Sequence, residues 1–288
     1  MPTASALLVG LTSIDPRSYG RSGTAGIANS AVNVARMQGI LTGFTCTTRT
    51  APTDTTADEI LGDLQAAANT LVSGDIFVFY FAGHGMDASE NELPGTLAAY
   101  DKPIQVAVIK RKFQAFRPGV RIVVICDSCY AGDMQFLVRF RSGLQKLSAS
   151  LASLMAPPAA QGAAAPAAVD GYNAQLIVLA AANSVVNGGQ LTSALLNVWN
   201  ARQATRTYRQ FYCAIADALN GSQSPIYIVK GPVSDTFEDQ VPFTVAAPAA
   251  SNRIVTAGTY GSAALCTPPP AAAPPPPIGV LMPGPINP

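Results

Sequence analysis

The sequence predicts an α/β sandwich, a mostly parallel sheet with helices on both faces. Three observations lead there. Short runs rich in Val, Ile, Leu and Phe recur along the chain, several of them near-continuous, as in strands buried on both sides. Helix-like stretches fill the intervals, which gives a βαβ rhythm. Hydrophobic residues make up 49% of the 288 and charged residues 12%, enough apolar material for a sizeable core.

The strand-like runs are Ala6–Leu11, Phe44–Thr47, Ile76–Phe81, Ile122–Cys126, Leu176–Ala181 and Ile226–Val229. Between them, Asn29–Gln38 reads as a helix after a Gly-containing turn. Thr56–Leu71 opens with Thr56 and, three residues on, Glu59, the pattern of a capping box. Leu191–Trp199 and Tyr208–Leu219 are the remaining helical stretches. Two segments break the rhythm. Residues from about 133 to 171 are rich in Ala, Pro and Ser and read as a flexible linker. From about 246 Pro and Ala dominate, so the expected organisation is a domain over 1–245 and an extended or disordered tail over 246–288.

Charge and cysteine usage narrow the function classes. The formal charge is 18 − 17 = +1 with no basic stripe, so no nucleic-acid partner is expected. The five cysteines are odd in number and widely spaced, which argues against a disulfide framework and for a reducing compartment. Cys126 and Cys129 form a CxxC, but no second pair or adjacent histidine completes a zinc site. The apolar start lacks a basic leader and no run is long enough to span a membrane, so a cytoplasmic protein without membrane partner is expected. A nucleotide-binding α/β protein would need a phosphate-cradling glycine loop at a strand–helix junction, and the glycines of LVGLTSIDPRSYGRSG lack that spacing.

One constellation carries chemistry. His84 is the single histidine, held between Gly83 and Gly85 just after the run DIFVFYF. Cys129 follows the run RIVVIC in the segment Asp127-Ser128-Cys129-Tyr130-Ala131-Gly132. Taken alone, a cysteine is usually a small hydrophobe, and a lone histidine is an ordinary core residue more often than a base. Together they lie just past the carboxyl ends of two predicted parallel strands, the edge where α/β proteins place their sites. Neighbouring strands run roughly 5 Å apart, which suits an imidazole-assisted thiol nucleophile. Cys126 reads as core, and Cys46, Cys213 and Cys266 receive no role.

These two motifs, His before Cys with about 45 residues between them, resemble those of the caspase and metacaspase superfamily. The segment FAGHG is similar to the family's histidine motif and DSCYAG to its DSCxSG motif. The resemblance runs from about Ala4 to Val245 and takes in ALLVGL, GIANSAVNVARM and QSPIYIVKGPVSDTFEDQVPF. It implies a caspase-like three-layer αβα sandwich around a mostly parallel six-stranded sheet, of the bacterial metacaspase or orthocaspase kind. It implies Cys129 as nucleophile, His84 as proton donor to the leaving amine, and an oxyanion site from the backbone N–H groups of Gly85 and Cys129.

The chain also departs from the pattern. Metacaspases commonly read GCxND near the first helix, where this chain has Gly26-Ile27-Ala28-Asn29-Ser30. Ser30 therefore stands in place of one substrate-binding carboxylate, and Asp127 remains as the other. The acidic segment associated with calcium is missing; the chain reads IQVAVIKRK after Tyr100-Asp101-Lys102-Pro103. This removes the ground for expecting calcium activation, and no metal or other cofactor is expected. The expectation is a cysteine endopeptidase acting on peptides or proteins after Arg or Lys, with the Pro-rich tail a possible docking segment for a partner. Arg139, Arg141 and Lys146 offer basic sites for self-cleavage near the linker. The competing expectation, resting on Ser30 and the missing acidic segment, is a catalytically weak or inactive interaction module.

Overall fold

The computed structural model describes residues 2–19, 29–86, 96–128, 171–181, 189–201, 207–223, 225–232 and 235–245, the backbone of 258–261, and Cys266. The strands are β1 (Ala4–Gly10), β2 (Thr45–Arg49), β3 (Ile76–Gly83), β4 (Gly85–Met86), β5 (Thr96–Ala98), β6 (Pro103–Gln105), β7 (Arg121–Ser128), β8 (Gln175–Ala180), β9 (Ile226–Lys230) and β10 (Gly258–Gly261). The helices are α1 (Pro16–Tyr19), α2 (Ser30–Ile40), α3 (Ala57–Thr70), α4 (Val106–Gln114), α5 (Gln190–Asn200), α6 (Tyr208–Leu219) and α7 (Asp235–Glu238).

Among the described residues the main sheet runs β10-β9-β8-β7-β3-β1-β2. β2, β1, β3, β7 and β8 are mutually parallel, while β9 and β10 are antiparallel to their neighbours. The six strands expected from the sequence are all present. A seventh, β10, comes from the Pro/Ala-rich tail and pairs Gly258–Gly261 with Ile226–Val229. The small sheet β4-β5-β6 stands beyond the end of β3.

The sheet is buried because its strands carry almost no polar side chains. All eight residues of β3 and all eight of β7 are buried. On one face Phe77 and Phe79 meet Phe116 and Phe113 behind α4, with ring centroids 5.3 and 5.8 Å apart. α3 covers the same face, joined to α4 by the Lys112 ammonium donating to Gln65. On the other face lie α2, α5 and α6. Gly10 is obligatory there, since a β-carbon would sit 2.7 Å from the Ser30 carbonyl oxygen and 2.8 Å from Val34 of α2.

Helix ends follow local chemistry in part. Thr56 accepts from the Glu59 N–H, but the Glu59 carboxylate turns to Arg49 (3.0 Å) instead of closing the capping box. Asp101 supplies the remaining cap by accepting from the Ala57 N–H at 2.7 Å. The complete box lies on α6, between Thr207 and Gln210. α4 was not read from the sequence, although Val106, Ile109 and Phe113 mark its buried side at helical spacing.

One expectation is corrected. Cys213 on α6 and Cys266 of the tail are joined in a disulfide, with Cα atoms 5.4 Å apart. Their separation of 53 residues hides the pairing in the sequence, because only the return of the tail along the β9 edge brings them together. The argument from cysteine usage for a reducing compartment therefore falls. No helix among the described residues is long and apolar enough to cross a membrane.

Candidate active site

The site is set by strand register. β3 and β7 are neighbours, and Gly83 is paired directly with Ser128. The next residue of each strand is His84 and Cys129 respectively. His84 is half-buried at the head of the small sheet. Cys129, like Tyr130, Ala131 and Gly132 after it and the linker residues Arg139, Arg141 and Lys146, lies outside the described residues.

The backbone around His84 is fixed on both sides. Gly83 cannot carry a side chain, since a β-carbon would fall 2.6 Å from the Phe81 ring. The Ala98 N–H donates to the His84 carbonyl at 2.9 Å. That bond makes Gly85 and Leu97, which face each other across β4 and β5, a non-hydrogen-bonded pair. The Gly85 N–H is therefore not consumed by the ladder.

Asp127 is 1% exposed. Its carboxylate accepts from the Thr192 N–H at 2.9 Å, the Thr192 hydroxyl at 2.5 Å and the Gly189 N–H at 3.3 Å. The residue at the N-cap of α5 is Gly189, which has no side chain to cap with. A carboxylate reached from β7 takes that place, and its charge opposes the positive end of the helix. Burial pushes the Asp127 pKa up, and the hydrogen bonds from Thr192 and Gly189 pull it back without cancelling the rise. The Thr192 hydroxyl also meets the Tyr80 hydroxyl of β3 at 2.7 Å.

Ser30 begins α2 and is fully buried, its hydroxyl without a hydrogen-bond partner among the described residues. One turn on, Asn33 lies against Gly189. A cleft of about 440 Å³ opens between the starts of α2 and α5, lined by Asn29, Asn33, Arg36, Gly189, Gln190 and Ser193 among others. Cys126 is a different thiol from the one the site needs: it is fully buried, beside the Ser128 hydroxyl at 3.3 Å, and burial pushes its pKa up to about 12. A thiol so placed is inert. Tyr80 and Thr192 were missed in the sequence. Their partnership spans 112 positions, and no local pattern announces it.

The family model of the caspase domain matches residues 5–244. The chain belongs to this family of cysteine peptidases. Its fold is similar to that of a Geobacter sulfurreducens protein known from a crystal structure, at 23% identity and a TM-score of 0.63, over 85% of this chain and all of the other. Caspase-1 from Spodoptera frugiperda aligns at 11% identity and a TM-score of 0.45, over 76% of this chain and 77% of its own. Its pro-form aligns at 11% and 0.43, over 76% and 78%. No curated protein matches the chain.

Proposed function

We propose that this caspase-domain protein is a cysteine endopeptidase using Cys129 and His84 as a dyad and cleaving after Arg or Lys. The observation that supports the reading is the Gly83–Ser128 pairing, two paired residues that immediately precede His84 and Cys129 in the sequence. The Cys129 thiolate attacks the scissile carbonyl carbon, and the carbon–nitrogen bond then breaks as His84 protonates the leaving amine. Water hydrolyses the resulting thioester and regenerates the thiol. The N–H groups of Gly85 and Cys129 stabilise the oxyanion of each tetrahedral state.

The preference for a basic residue rests on Asp127, the buried carboxylate at this edge. Direct pairing with a substrate cation would break one of its bonds to α5, so it acts through its field across a short, poorly solvated distance. Fluorogenic peptides with Arg, Lys or a neutral residue at the cleaved position test the proposal, with and without calcium. Wild type should cleave the basic peptides without added calcium, and Cys129→Ala should cleave none. Turnover retained by Cys129→Ala would defeat it. The same samples, followed by intact mass, should show self-cleavage after Arg139, Arg141 or Lys146 in wild type only.

A further inference from the structure

We propose that Tyr80 and Thr192 are positioning residues of the peptidase site, joined with Asp127 in a buried hydroxyl chain that sets the end of β7 against β3 and the start of α5. The proposal rests on the peptidase reading above and adds two residues to it.

Each member belongs to a different segment of the site. Tyr80 is four residues before His84 on β3, Asp127 two residues before Cys129 on β7, and Thr192 the third residue of α5. Tyr80 and Thr192 are 0% exposed and Asp127 is 1% exposed, so water cannot replace a lost partner. With the carboxylate ionised, the direction of the chain is forced. An ionised carboxylate only accepts, so the single Thr192 proton goes to Asp127. The Thr192 oxygen is then left as an acceptor, and Tyr80 must donate to it.

The chain also explains why these residue types stand where they do. A Phe at Tyr80 or a Val at Thr192 would fill the same space in an otherwise apolar layer. Each hydroxyl is costly to bury unless the other two members are in place. Through these bonds the chain ties β3, β7 and α5 together at this edge. Loss of the Thr192 hydroxyl should therefore let the end of β7 shift relative to His84, where small displacements are expensive in rate.

The test is a double-mutant cycle in the full chain. Thr192→Val, nearly isosteric, should lower kcat about tenfold while KM changes little, as expected for one charge-assisted bond acting on geometry. Tyr80→Phe added to Thr192→Val should cost nothing more, since its partner is already gone. Thr192→Ser, which keeps the hydroxyl, should restore kcat to within about threefold of wild type. Alkylation of Cys129 by iodoacetamide, followed by peptide mass, gives a readout that needs no turnover. Its rate should fall in Thr192→Val and recover in Thr192→Ser. If Thr192→Val loses thermal stability but keeps kcat and alkylation rate, the chain is merely structural and the proposal is overturned. If wild type cleaves no peptide, the peptidase reading falls, and an alkylation rate unchanged by Thr192→Val overturns this proposal separately.

Discussion

Strand β7 carries a buried charge near each end, and the two are used differently. At its start, Arg121 is 2% exposed and donates to the Gln240 side chain (2.6 Å), the Gly74 carbonyl (2.8 Å) and the Val245 carbonyl (3.0 Å). At its far end, Asp127 accepts from the N-terminal turn of α5. Among the described residues, the partners of both charges are carbonyl, amide, hydroxyl and N–H dipoles. The arginine fastens the close of the domain, residues 240–245, to the base of the sheet. The aspartate fastens the helix that follows β8 to the edge where β3 and β7 end. Removing the first should act on stability, and removing the second on chemistry.

The sharpest separation comes from the nucleophile itself. Cys129→Ala should lower turnover by roughly 10⁴-fold or more while leaving the melting temperature nearly unchanged. A large loss of stability in that variant would merge the two ends of β7 into one structural unit. Arg121→Met should do the opposite. It strands two carbonyls and the Gln240 oxygen, at a cost of about 3 kcal/mol, or about 8 °C in a scanning-calorimetry melt. The kcat of the fraction still folded should not change.

Asp127→Asn is the intermediate case, because an amide NH₂ would face an N–H donor of α5. Turnover on Arg peptides should fall about tenfold, and less on neutral ones. Equal losses on both classes would make Asp127 purely a cap for α5. The smallest effect is a pH dependence. The folded-state pKa of Asp127 is raised, so just above the unfolded carboxylate pKa the native state holds more protons than the unfolded state. Stability from this group is present at low pH and is lost as pH rises through the folded value. Urea midpoints of wild type minus those of Asp127→Asn should therefore decline across that window. The neighbouring Tyr80 and Cys126 stay neutral there, both being shifted upward.

Much of this architecture was legible because it is local. Runs such as IFVFYF and RIVVIC cannot be other than buried strands in a domain of this size, and β3 and β7 lie where they were placed. His84 stands out as a candidate in the sequence because no second histidine exists. What escaped depends on contacts between distant segments. Thr192 is an ordinary helix residue until β7 presents Asp127 to it. Gln240 is a polar residue in a turn until Arg121 reaches it. The short strand Gly258–Gly261 is apparent only through its pairing with β9. The half-formed capping box at Thr56 makes the same point, since Arg49 outcompetes the local partner for Glu59.

The Cys213–Cys266 bond has a mechanical consequence. It closes a covalent ring between cysteines 53 positions apart in sequence, and the ring contains β9 and β10. In the chain-entropy account such a ring destabilises the unfolded state by about 4 kcal/mol. A pull applied beyond residue 266 enters the protein at α6, through the sulfur–sulfur bond, and never loads the hydrogen bonds of β10. Under tension the outermost strand is therefore shielded and cannot be peeled from that side until the thiols are reduced.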